Sequence, residues 1–187
     1  MREDVPGATA AIAAPAERNP LVPSFYASRA LRNGCAQAAV AWLLTFLRRS
    51  PYPPGADLVA EIYRRYPPNT PFALFGTTPG RLERICHAYG LRTARWSGAG
   101  ARERLEAELA AGRPVVVLLD LARLGGGIGF HYAVACSYNE TGVTCANMLP
   151  TRRFSGEAQA LPWSELMLAW KCRLPAGRFK CAGMAAW

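Results

Sequence analysis

The sequence predicts an α+β protein, with helices in its first half and an antiparallel sheet in its second. Three observations carry that expectation. Apolar residues recur at three- and four-residue steps in segments up to Ala111, the period of helices with one buried face. Pro114-Val115-Val116-Val117-Leu118-Leu119-Asp120 is then a continuous apolar run of strand length, rich in β-branched residues. Finally, Phe130–Tyr138 and Val143–Asn147 flank Asn139-Glu140-Thr141-Gly142, a hairpin turn. One lobe of each type follows, N-terminal helices packed on a C-terminal antiparallel sheet.

A chain of 187 residues is long enough for one domain with its own core. It is 51% hydrophobic and 19% charged, as ordinary globular proteins are. No window approaches the roughly 18–20 uncharged apolar residues of a membrane span. Met1-Arg2-Glu3-Asp4, followed by alanines and prolines, is not a secretory signal. Cytoplasmic and exported locations both stay open.

Net charge is +9, largely from arginine in short clusters such as Arg48-Arg49, Arg64-Arg65 and Arg152-Arg153. The plain reading is a solvated basic surface; the alternative is attraction to an anionic partner, such as a cell-wall polymer or an acidic peptide. No aromatic-basic module or zinc-knuckle spacing occurs, so nucleic acid is not an expected partner.

Taken in order, residues 1–23 form a flexible Ala/Pro-rich arm and residues 24–187 the domain. Asn33 or Gly34 opens a first helix running to about Arg49, with Ala39, Trp42, Leu43, Phe46 and Leu47 as its apolar positions. Alanine fills most of the rest, so this helix is buried nearly all round. Pro51, Pro53 and Pro54 stop it. Ala56–Tyr66 is a second helix, ended by Pro67-Pro68. Thr78 caps a third, with Pro79 at its first position and Gly90 at its end. Leu91–Trp96 is a short strand, and Ala101–Ala111 an amphipathic helix closed by Gly112. After the strands come a loop over residues 148–161, a short helix over Pro162–Lys171, and a tail whose stretch from Arg173 to Met184 adds an edge strand.

Six cysteines make no disulfide framework here. Cys86, Cys136 and Cys145 lie in apolar contexts as small buried hydrophobes. Cys172 and Cys181 flank a Pro-Ala-Gly turn and could face each other across a hairpin. No CxxC pair occurs, so a structural zinc site is not expected.

Cys35 differs from these five. It stands in Asn33-Gly34-Cys35-Ala36-Gln37-Ala38-Ala39 at the first turn of an apolar helix, where about half a positive charge favours thiolate over thiol. One of only two histidines, His131, opens the strand Gly129-Phe130-His131-Tyr132-Ala133-Val134-Ala135. Asn147 follows 16 residues later, at the end of the next strand. Neighbouring antiparallel strands bring such positions to one sheet edge. Thiolate attack on a carbonyl needs a nucleophile, a base, an orienter for that base and oxyanion donors. Cys35, His131 and Asn147 fit the first three roles, and the Cys35 N–H at the helix start fits the fourth. Asp120, ending a neighbouring strand, is the reserve orienter. His87 is a surface residue.

At these residues the chain resembles papain-like cysteine peptidases, most nearly the bacteriocin leader peptidases that cut after double glycine, and their stand-alone relatives. The likeness lies in the helix-start Cys35 followed by small residues, in Gly112-Arg113-Pro114-Val115-Val116-Val117, in His131 opening a His-aromatic-Ala-Val-Ala strand, in Asn147, and in the Trp-containing segment Pro162–Trp170. The resemblance implies a papain-like two-lobed fold and a stand-alone bacterial thiol hydrolase, a monomer without cofactor, acting on a peptide or protein substrate. The sequence departs from the family at Ala36-Gln37, where Gly-Pro is usual, at Asn147-Met148, where Asp-Pro is usual, and at Arg29, where a Gln is the usual oxyanion donor. Arg29 and Gln37 are therefore the candidate side-chain donors. A cell-wall amidase or toxin effector, an acyltransferase with the same Cys-His pair, and a catalytically silent binding module are the alternatives.

Overall fold

The computed structural model describes residues 33–47, 56–69, 76–125, 129–146, 158–171 and 182–187. Helix α1 spans Cys35–Phe46, α2 Ala56–Arg65 and α3 Pro79–Ala88. Strand β1 (Thr93–Trp96), helix α4 (Ala101–Ala110) and strand β2 (Val115–Asp120) follow, with a 3-10 turn at Leu121–Leu124. Strands β3 (Phe130–Tyr138), β4 (Gly142–Ala146) and β5 (Gln159–Pro162), helix α5 (Trp163–Trp170) and strand β6 (Gly183–Ala186) complete the described elements. The α+β class holds.

The strands form one antiparallel sheet in the order β1-β6-β2-β3-β4-β5. Strand β2 is at its centre, which explains the unbroken run Val115–Leu119: every residue in it is buried, because both faces of the sheet are covered. Alternate side chains serve two cores. Val116, Leu118, Tyr132, Val134 and Met184 join α1, α2 and α3 on one face, while Val115, Val117, Leu119, Ala133 and Ala135 join α4 and α5 on the other.

Helix α1 is the centre of the first core. Ten of its residues, Ala36 through Thr45, are buried, as its alanine-filled pattern predicts. Alanines let neighbouring backbones approach from several sides, and Trp42, stacked on Phe46 at 4.9 Å, supplies the bulk. The helix ends at Phe46, three residues before the expected Arg49.

The ends of the other helices follow local chemistry. Leu91 N–H reaches back to Cys86 O, with Gly90 left-handed between them at φ +78°. Thr78 sits at the N-cap of α3 but makes no side-chain capping bond; the Asn69 amide nitrogen donates to its hydroxyl, and the Asn69 amide oxygen accepts from its backbone N–H. The Asn139–Gly142 turn is held by the Asn139 carboxamide oxygen, which accepts from Thr141 N–H, Thr141 Oγ1 and Gly142 N–H.

Two expectations about the strands are corrected. The stretch read as loop up to residue 161 contains β5, four residues that pair with β4 from Gly142 to Cys145. The last strand is no edge strand: β6 lies between β1 and β2. The Cys172–Cys181 pair, and residues 1–23, lie outside the described residues.

Candidate active site

Cys35 is the first residue of α1. The turn before it is tight. Asn33 is left-handed at φ +58°, a conformation asparagine tolerates better than most residues. Gly34 then caps the helix, its carbonyl accepting from Ala38 N–H at 2.9 Å. The backbone of Gly76 lies against this turn, so close that a Cβ there would come 3.1 Å from Asn33 O.

The sulfur faces strand β3. The backbone N–H groups of Tyr132, Ala36 and Cys35 itself each lower the Cys35 pKa, as donors to a thiolate do. Burial outweighs all three and pushes the thiol up from its ordinary value. The sequence predicts the opposite, a thiolate stabilised by the helix start. The physical reason for the reversal is desolvation: although Cys35 as a residue is partly exposed, its surroundings favour the uncharged thiol more than three amide dipoles favour the anion. The remaining described cysteines are raised by burial as well. Burial raises Cys86 and Cys136 to about 12, and raises Cys145 further.

His131 immediately precedes Tyr132, the residue whose N–H meets the sulfur, and is 1% exposed. It lies at the second position of β3, opposite Leu119 of β2. The structure therefore brings the Cys35 sulfur to the backbone next to His131. Asn147 and Arg29 lie outside the described residues; β4 ends at Ala146, which pairs with Val134.

Two candidates have other work. Gln37 is fully buried, and its amide nitrogen donates to Tyr66 O at 2.7 Å and Thr77 Oγ1 at 3.1 Å. Both amide hydrogens are thus committed, which leaves none for an oxyanion. Asp120 accepts from Ala122 N–H at 3.1 Å and pairs with Arg123 at 3.5 Å; it caps the 3-10 turn. His87 is exposed, its Nε2 2.7 Å from Thr93 Oγ1.

Sequence reasoning missed Tyr132 and Thr77. Tyr132 presents its N–H to the sulfur and its hydroxyl to Thr77 O at 3.0 Å. An aromatic beside the strand histidine was the available signal for Tyr132. Thr77 had none beyond its place before a helix. A cavity of about 260 Å³ opens on the same sheet face, lined by Leu82, Val116, Leu118, Tyr132 and Met184, with Arg95 also on its wall. Neither Cys35 nor His131 lines it; Tyr132 is its link to the sulfur.

A helix-start cysteine lies against β3, whose second residue is a histidine, in an antiparallel sheet flanked by helices, and the arrangement is that of a papain-like fold. Solved structures bear out the fold. The chain is similar to a double glycine motif protease from an AMS/PCAT transporter, solved in complex with its leader peptide, at 14% identity and a TM-score of 0.57, over 88% of this chain and 90% of that one. It is equally similar to a chain described as a C39-like peptidase from Bacillus anthracis, at 14% identity and a TM-score of 0.58, over 83% and 88%. No family model matches the sequence, and no curated protein matches it. The likeness is one of fold, carried by three-dimensional arrangement at very low identity.

Proposed function

We propose that the protein is a thiol hydrolase that cleaves a peptide or amide bond, with Cys35 as nucleophile, His131 as base and Asn147 as orienter of the imidazole. The observation that carries this reading is the sulfur of Cys35 accepting the N–H of the residue next to His131. Because burial favours the thiol over the thiolate, His131 acts here as a general base. It takes the proton while sulfur attacks the carbonyl carbon, then returns it to the leaving amine. The Cys35 N–H at the helix start is the donor for the oxyanion that forms. Water then releases the acyl group from sulfur and regenerates the thiol.

A peptide substrate is favoured by the fold's similarity to a protease solved with a leader peptide. Incubation with peptides carrying a double glycine, followed by mass spectrometry, tests it: cleavage by the native chain and none by Cys35→Ala or His131→Ala is the expected result. Equal cleavage by Cys35→Ala overturns it. The burial of the thiol favours one second reading, a silent module that holds a peptide without cutting it. That reading requires tight peptide binding that survives Cys35→Ala, with no cleavage by either form.

A further inference from the structure

The two elements that carry Cys35 and His131 are joined through a third. Gln37, on the first turn of α1, donates to Thr77 Oγ1 at 3.1 Å. Tyr132, on β3, donates its hydroxyl to Thr77 O at 3.0 Å. Thr77 is 2% exposed, Gln37 fully buried and Tyr132 4% exposed, so no water competes for these bonds. The neighbouring Gly76 packs against Asn33 O, in the turn that leads into Cys35, and Gly76 O accepts from Asn69 N–H. One segment therefore touches the cysteine's turn, the cysteine's helix and the strand of the histidine.

We propose that Thr77 is a positioning residue for the Cys35–His131 unit, setting the distance between the start of α1 and the start of β3 through Gln37 and Tyr132. The proposal rests on the thiol-hydrolase reading. Two hydrogen bonds on one residue, through the hydroxyl and the carbonyl of Thr77, fix a separation that apolar packing alone leaves free to slide. Attack geometry is sensitive to such sliding, since a misplacement of about 1 Å can cost about a hundredfold in rate.

The test uses iodoacetamide on the full chain, with alkylation of Cys35 followed by peptide mass spectrometry across pH. Four variants are compared with the native chain: His131→Ala, Thr77→Val with Tyr132→Phe, Tyr132→Phe alone, and Thr77→Ser. The expected result has three parts. His131→Ala changes the pH profile of Cys35 alkylation. The Thr77→Val/Tyr132→Phe pair moves the profile toward that of His131→Ala, with a rate lowered about tenfold, while Thr77→Ser keeps the native profile. Tyr132→Phe alone moves the profile in the same direction, and serves if the double variant does not fold. A profile that responds to His131→Ala but not to Tyr132→Phe or the double variant overturns the positioning role and leaves the hydrolase reading standing. A profile indifferent to His131→Ala overturns both.

Discussion

A buried carboxylate shows how one residue organises a surface of arginines. Glu108 is 3% exposed and pairs with Arg104 at 2.8 Å and with Arg113 through its other oxygen. Arg104 also lies over the Trp96 ring and Arg113 over Trp187. The two arginine side chains are 53% and 37% exposed, so each can regain water, whereas the carboxylate cannot. Losing either arginine alone therefore costs about 1 kcal/mol, and losing both exceeds the sum of the singles by at least about 1 kcal/mol, because the anion is then buried unpaired. Urea unfolding of Arg104→Met, Arg113→Met and the double variant measures this. The buried thiols make a second prediction. Cys86 and Cys136 are held protonated up to about 12, so above about pH 9 the unfolded chain releases protons that the native state keeps. Native stability is thus full below that pH and falls as pH rises toward 12, by about 1.4 kcal/mol per pH unit for each thiol. The pH slope of unfolding free energy checks it: Cys86→Ala removes one proton's worth. Of the candidate site, the placement of Cys35 at a helix start and of His131 near a strand start was legible, because the helix and strand patterns around them are long and regular. The protonation of Cys35 was not, because desolvation depends on which atoms surround a sulfur, and sequence shows only which atoms precede and follow it.

At the scale of elements, legibility followed the length and regularity of each segment. Helix α1 and strands β2 and β3 announce themselves through long apolar patterns, and the Asn139–Gly142 turn through its side chains. Gln159–Pro162 does not: it has four residues, ends in proline and shows no clean alternation. Its pairing is visible instead in a glycine on the partner strand. A Cβ on Gly142 would come 2.2 Å from Leu161 O, a contact with backbone that no rotamer relieves. Gly142→Ala therefore forces β4 and β5 apart and destabilises the protein by about 2–4 kcal/mol, measurable by thermal or urea unfolding. An unchanged midpoint contradicts the close approach. The same reasoning applies to Gly183, whose missing side chain leaves room for the Trp96 ring, 2.6 Å from where a Cβ would stand.

For the whole molecule, the sheet order was the least legible feature. Hairpin neighbours such as β3 and β4 can be inferred from a short turn, but the insertion of β6 between β1 and β2 joins residues more than ninety positions apart, as in Thr93 opposite Ala186. Nothing local in Gly183-Met184-Ala185-Ala186 encodes that partner. The insertion makes β6 structurally central. Removing residues 183–187 leaves β1 without its pairing partner and exposes one side of β2 as an open edge. The expected outcome is loss of cooperative unfolding and concentration-dependent aggregation, read by circular dichroism and light scattering; a cooperative, monomeric truncation contradicts it. There is a temporal consequence. On the ribosome, helices α1 to α3 emerge and can form early, but the strand that closes the sheet leaves the exit tunnel after everything it must join. A nascent chain thus carries its cysteine helix and histidine strand before β6 has joined β1 to β2, and the sheet locks only once that strand has cleared the tunnel.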